Sequence, residues 1–334
     1  MNQFAKSVLI TALFPLILTA CNKKDEVAAP ATEAPAATAA ATGAEDASCA
    51  TVKFADIGWT DITATTALSS TVLQGLGYKA ESTIASVPIA FAGLKKGQID
   101  TFLGYWSPSM TPIVEPFTKE KAITVLDKPN LVGAKYTLAV PKYAYDAGLK
   151  SFADIGKFTK ELNGKIYGIE PGNDGNKLIA DMISKDAFGL KSFKMVESSE
   201  AGMLTEVSRS VKDKKWIVFL GWAPHPMNVQ QDIVYLSGGD DFFGPNYGEA
   251  KVYTVTSNEL AKRCPNVNKL VTNLEFNVGM ENEVMLPIMD KTNPNEAAKA
   301  WLAKNPATLD AWLAGVNTVD GKPGLEAVKK YLGV

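Results

Sequence analysis

A chain of 334 residues has room for two ordinary domains. Hydrophobic residues make up 46% and charged residues 21%, the balance of a soluble globular protein. The net charge of −2 carries no polycation signature, which argues against nucleic acid as a partner.

The first twenty residues read as a targeting segment. Lys6 gives a positive start, and Val8 to Leu18 is almost wholly apolar but too short to span a membrane comfortably. The run Leu18-Thr19-Ala20-Cys21 resembles the lipobox of bacterial lipoproteins, cleaved before the cysteine, whose thiol and amine then carry acyl chains. Acyl chains would anchor the protein firmly, since each buried CH₂ contributes about 0.8 kcal/mol. The alternative is an ordinary signal peptide ending at Ala20. Residues 21–48 are rich in Ala, Thr, Pro and Glu, with almost no large side chain. Such a segment cannot offset its ordering entropy, and it reads as a flexible tether. The folded body then runs from Cys49 to Val334. With Cys21 assigned to lipid, Cys49 and Cys264 remain, and in an exported protein a pair is expected to be bridged.

Along the body, Val52 to Ala55 reads as a strand. Thr60 and Asp61 have the side chains of helix caps, and Ile62 to Leu76 follows with helical spacing. Tyr78 to Ile84 is a second strand, Pro88 to Gly97 a short helix, and Ile99 to Leu103 a third strand. This alternation implies parallel strands with helical crossovers. A second α/β unit starts near Ala134, with strands at Tyr136–Val140, Lys165–Ile169 and Trp216–Leu220. The turn Glu170 to Asn176 opens a helix over Lys177–Ser184, and Met203–Val211 is helical. Beyond Phe242 the chain reads as mostly helical, with Asn293-Pro294-Asn295 capping Glu296–Lys304.

One device recurs. Phe54-Ala55-Asp56-Ile57-Gly58-Trp59, Phe102-Leu103-Gly104-Tyr105-Trp106 and Phe219-Leu220-Gly221-Trp222 each run from an apolar strand through glycine to an indole. The last two continue in the same order of residue types, to Pro108 and Met110 and to Pro224 and Met227. One tryptophan alone is best read as core. Three at strand ends point instead to a pocket lined by π-surface, because ligands of open α/β sheets bind at the carboxyl ends of strands. Aromatic faces suit a quaternary ammonium ion, which has no N–H to donate and spreads its charge over methyl groups. Trp216, Trp301 and Trp312 lack this placement and read as packing residues. From spacing alone Asp61 is either a cap or an acceptor for a ligand hydroxyl. The Glu170–Asn176 turn reads as a capped helix start. His225, the only histidine, lies between prolines and reads as structural. No nucleophile elbow and no metal-ligand set is legible, so neither an enzyme nor a cofactor or metal site is expected. Asp240-Asp241 reads as solvated or as a cap near a hinge.

The stretch Phe54 to Thr66 resembles the choline-binding proteins of bacterial ABC importers, within the glycine betaine-type substrate-binding proteins. So do Gly133-Ala134-Lys135-Tyr136-Thr137, Gly168 to Asn176, Phe219-Leu220-Gly221-Trp222 and Leu236-Ser237-Gly238-Gly239-Asp240-Asp241. The resemblance covers the whole body. It implies a two-lobed α/β periplasmic-binding-protein fold of type II, with 49–133 plus 239–334 as one lobe and 134–238 as the other. The chain would cross near Val132–Lys135 and Ser237–Asp241. It implies an aromatic box of Trp59, Trp106, Tyr136 and Trp222, with Asp61 and Asn173 on the choline hydroxyl and a Cys49–Cys264 disulfide. It also implies a monomer serving a membrane permease and ATPase; the lipobox and long tether depart from a freely diffusing periplasmic protein and resemble a variant held in the cell envelope by lipid at Cys21. A glycine betaine binder and a sensor for a membrane receptor are the alternatives.

Overall fold

The computed structural model describes residues 45–334, with the signal segment, Cys21 and the tether through residue 44 lying outside it. Nine strands form one sheet: β1 Thr51–Asp56, β2 Lys79–Ile84, β3 Thr101–Ser107, β4 Ile123–Pro141, β5 Lys165–Tyr167, β6 Lys194–Val196, β7 Phe219–Ala223, β8 Ile233–Tyr235 and β9 Glu249–Ser257. Their order is β2-β1-β3-β9-β4-β7-β5-β6, with β8 also on β4. The two ends are parallel groups, β2-β1-β3 and β7-β5-β6, as the alternation of strands and helices requires. Between them the antiparallel pair β4 and β9 joins the two groups.

Two central elements differ from the sequence reading. β4 has nineteen residues where only Tyr136–Val140 reads as strand. Its first half carries Asp127, Lys128, Pro129 and Gly133, and its pairing with β9 slips three times between Val125 and Ala134. Those breaks erase the period-two pattern that marks a strand. β9 falls in a stretch expected to be helical. Ala250, Val252 and Thr254 are buried there in alternation before Val255–Ser257 are buried on both faces, and its β-branched residues fit a pleated surface.

The helix Thr60–Gly75 is buried on almost every side, since other helices cover the face turned away from the sheet. Its N-cap is Trp59, with extended backbone, and neither Thr60 nor Asp61 caps it as their residue types suggest. The Thr60 hydroxyl goes instead to Glu200, and Asp61 sits in the first turn. At the other end of the chain the Asn293 cap is as expected: its side chain accepts from the backbone of Asn295 at 2.9 Å and Glu296 at 3.4 Å.

Cys49 and Cys264 form a disulfide across 215 positions. The described residues begin slightly before it. Glu45 accepts from Tyr78 Oη at 2.9 Å and from the backbone of Asn266. Among the described residues no helix is long and apolar enough to cross a membrane.

Candidate ligand-binding site

The recurring glycines place the indoles by different means. Gly58 has φ +83°, a conformation that L side chains rarely adopt, and it turns the chain out of β1 so that Trp59 leads the next helix. Gly104 and Gly221 are packing positions. A Cβ on Gly104 would lie 2.5 Å from Ile62 Cδ1, and one on Gly221 would lie 2.9 Å from both Ala139 Cβ and Tyr235 Cε1. These glycines let the helix Thr60–Gly75 and the Tyr235 ring close onto the strands that carry Trp106 and Trp222. Both indoles lie within their strands and are followed one residue later by a cis X–Pro bond, at Ser107-Pro108 and Ala223-Pro224.

Tyr136 is the hub. On β4 it pairs directly with Trp222 on β7, and their rings stand 6.3 Å apart at 76°. Trp106 approaches from the β3 side at 6.0 Å and 59°. Behind Tyr136, Phe243 fixes it edge-on at 5.9 Å. The Tyr136 hydroxyl rests against Gly175, where an added Cβ would lie 2.0 Å away. Tyr136, Trp222, Trp106 and Trp59 are all at most 6% exposed.

These four rings line a small cavity, completed by Asp61, Ile169 and Asp174. Its lining contains two carboxyl groups and no Lys, Arg or His. Three buried polar atoms here lack a hydrogen-bond partner: Asp61 Oδ1, Asp174 Oδ2 and Trp106 Nε1. Buried polar groups are almost always paired, so orphans converging on one cavity mark a place where something else supplies the partner. Burial, with Glu200 nearby, pushes the Asp61 carboxyl up to about 8. Burial pushes Asp174 up to about 6, against the opposing pull of the Ser109 hydroxyl. Tyr136 is held well above the usual phenol range, first by burial and then by the charges of Asp174 and Glu170.

A shell of contacts joins the two ends of the sheet around this cavity. Trp59 Nε1 donates to Glu170 Oε1 at 3.0 Å. The Thr60 backbone donates to Glu200 Oε2 at 3.0 Å, and the Thr60 hydroxyl donates to Glu200 Oε1. His225 lies 3.2 Å from Glu200 through Nε2 and accepts from the Met227 backbone through Nδ1. That acceptance puts the proton of neutral His225 on Nε2, facing the carboxylate. The ring of His225 packs against Trp222 at 5.0 Å. Its place is therefore behind a cavity wall.

Five of the residues singled out in the sequence, Trp59, Asp61, Trp106, Tyr136 and Trp222, meet at the cavity. Asn173 is fully buried one residue from it and caps the helix Asp174–Ser184. Its Oδ1 accepts from Asn176 N at 2.9 Å, and its Nδ2 donates to Glu170 O. Asp174, Glu170 and Glu200 escape sequence reasoning, because an acid near a helix start has an ordinary meaning. Trp216, Trp301 and Trp312 lie elsewhere, stacked on Phe158 or bonded to Glu283 and Glu275. Asp240 and Asp241 are exposed at the start of the short helix Asp240–Phe243.

Fold and cavity together define a two-lobed solute-binding protein of the periplasmic-binding-protein kind, with an aromatic and acidic site between two parallel groups of strands. Residues 50–304 match the family described as OpuAC, the substrate binding domain of ABC-type glycine betaine transport systems, and the chain belongs to that family. It is 52% identical to an ABC-transporter choline binding protein solved in complex with choline, with a TM-score of 0.85, covering 86% of this chain and all of that one. Against an ABC-transporter choline binding protein in an unliganded, semi-closed conformation the identity and coverage are the same and the TM-score is 0.79. A lactococcal OpuAC closed around glycine betaine is 26% identical, with a TM-score of 0.71, over 79% of this chain and 99% of that one. The protein is thus the substrate-binding component of an ABC importer of the glycine betaine and choline type, which works outside the cytoplasm.

Proposed function

We propose that the protein captures choline and delivers it to a membrane permease with its ATPase. The observation that carries this reading is the cavity lining, four aromatic rings and two carboxyl groups without a basic side chain. Each ring face contributes roughly 0.5–2 kcal/mol to holding a quaternary ammonium, more when water is excluded. Asp61 accepts the hydroxyl of choline. The amide hydrogen of Asn173 not used on Glu170 is a second partner for that hydroxyl. Glycine betaine fits the rings equally well, but its carboxylate meets Asp61 and Asp174 in a site with no cation to receive it.

In this reading the lobes are 49–133 plus 239–334 and 134–238, and they close on the ligand. Of the two crossings, the first runs within β4 near Gly133, whose φ is +81°. Trp59 and Trp106 then belong to one lobe, and Tyr136 and Trp222 to the other. The cage is complete only when closed, so the ligand favours the closed form and the permease can recognise it. The protein acts as a monomer, anchored in the cell envelope by lipid on Cys21. The test is titration with choline and with glycine betaine, followed by tryptophan fluorescence and calorimetry. Micromolar choline binding with at least tenfold weaker betaine is expected. Betaine bound as tightly as choline would overturn the choice of ligand.

A further inference from the structure

Asp174 stands on the cavity wall opposite in origin to Asp61. Asp61 lies in the first turn of the helix Thr60–Gly75, which follows β1, and Asp174 is the first residue of the helix Asp174–Ser184, which follows β5. The two acids therefore enter from the two ends of the sheet. Asp174 is 3% exposed, and its Oδ2 is buried with no partner. It is not the cap of its helix, since Asn173 takes that role with its own side chain. Among the described residues no salt bridge involves it, and Lys177, three residues on, is exposed. Three other acids near the cavity are already engaged, while Glu281, buried near Asp61, is not on the lining. Glu170 accepts from Trp59, Glu200 accepts from Thr60, and Asp56 accepts from the Gly58 backbone and the Thr63 hydroxyl. Asp174 thus combines an unpaired buried oxygen, a place on the lining and no structural task for that oxygen.

We propose that Asp174 is a second specificity-determining residue, a carboxylate that together with Asp61 makes the cavity demand a net cation and reject zwitterions. This rests on the choline reading above. With one acid, a zwitterion can turn its carboxylate toward the opposite wall. With acids entering from both ends of the sheet, either orientation sets its carboxylate beside an acidic group in a site shielded from water. Choline carries no anionic end and meets neither obstacle. The pair therefore rejects betaine in both orientations, which neither acid does alone.

The experiment compares wild type, Asp174→Asn and Asp174→Glu, with calorimetric titration of choline and of glycine betaine into the full-length protein. Asp174→Asn keeps the size of the side chain and leaves the Asn173 cap in place. Its ratio of betaine to choline dissociation constants should fall at least tenfold, mainly through tighter betaine. Asp174→Glu, which keeps the charge, should retain a ratio within about threefold of wild type, a rescue that a purely structural role for the side chain does not predict. Asp174→Ala, measured in parallel, should lower the ratio as Asn does, and it decides the matter if the Asn variant does not fold. An unchanged ratio in the folded neutral variants overturns the proposal. Wild type that binds no choline at all would defeat the choline reading itself, so the two failures are distinguishable.

Discussion

Replacing Trp222 separates an electronic cage from a merely well-shaped one. The indole is 4% exposed and stands beside Tyr136 and against His225. Its face is one of four around the cavity, and water is nearly excluded. A desolvated cation–π contact is worth about 2 kcal/mol. At about 1.4 kcal/mol per tenfold, Trp222→Ala should weaken choline roughly thirtyfold. Removing so large a buried side chain also costs stability, about 3–5 kcal/mol, so each variant needs a thermal melt beside its titration. Trp222→Phe keeps a smaller face and should lose only a few-fold. Trp222→Leu is the decisive control. It refills much of the apolar volume without a π-face, and it should lose nearly as much as Ala. The assay is calorimetry, because fluorescence loses one of its reporters in every variant. Folded Trp222→Leu that binds choline within threefold of wild type would refute the electronic reading, and the same result for Trp222→Ala would remove Trp222 from the site.

Other consequences follow from the same geometry. Gly175→Ala places a methyl where the Tyr136 hydroxyl now lies, 2.0 Å from it; the ring must tilt toward its neighbours, and choline affinity should fall at least tenfold with the fold retained, read by titration alongside circular dichroism. Replacing both Cys49 and Cys264 by Ser opens a loop of 215 positions, for which the chain-entropy relation gives about 5 kcal/mol of lost stability; denaturant unfolding should show it, while choline affinity stays within a few-fold because the bridge is remote from the cavity. Stability of the empty protein should fall as pH rises from about 4 to about 8. Asp61 at about 8, Glu170 at about 7 and Asp174 at about 6 hold protons in the folded state that the unfolded chain releases near its ordinary carboxyl values. That stability is complete below the unfolded values and is lost as pH passes the folded ones. Thermal melts across this range should show the decline, Asp61→Asn should remove its upper part, and the stabilisation added by saturating choline should grow over the same window. Melting temperatures that rise steadily with pH would contradict the protonated cluster.

Legibility in the sequence tracked how local each feature is. Trp59, Trp106 and Trp222 announce themselves, because strand, glycine and indole are consecutive. Tyr136 gives no such signal. It reaches the site through the register of β4 on β7, which sets it beside Trp222, 86 positions away in sequence. The resemblance to a family supplied it where periodicity did not. Asp174 looked like any acid in a first helical turn, and its meaning lies in a cavity built by distant residues. Glu200 is hidden in the same way, since its partner Thr60 is 140 residues away. β9 carries a strand's signature in the β-branched run from Val252 to Thr256. β4 was illegible for a physical reason, because a strand that slips its register at Pro129 and Gly133 gives up the alternation by which strands are recognised.

Three consecutive residues carry most of the coupling between ligand and architecture. Trp59 has extended backbone and Thr60 begins a helix, so their side chains and that of Asp61 diverge from one turn. Trp59 ties to Glu170, Thr60 ties to Glu200, and Asp61 faces the cavity. Hydrogen bonds to charged groups contribute about 1.5–3 kcal/mol each, so these straps are strong enough to matter for closure. They also have an electrostatic cost. Bringing Glu170 and Glu200 to this turn gathers them with Asp61 and Asp174, and Glu200 is one reason the Asp61 carboxyl is pushed up. A cation inside the cage lowers that cost for all four acids at once. At about 5 Å and an effective permittivity of about 20, it stabilises one carboxylate by roughly 3 kcal/mol, or about two pKa units. A neutral ligand gives no such relief, and a zwitterion brings a further carboxylate into the cluster. In the proposed closing motion, selection of a cation and closure around it are therefore the same electrostatic event, read out at one helix start.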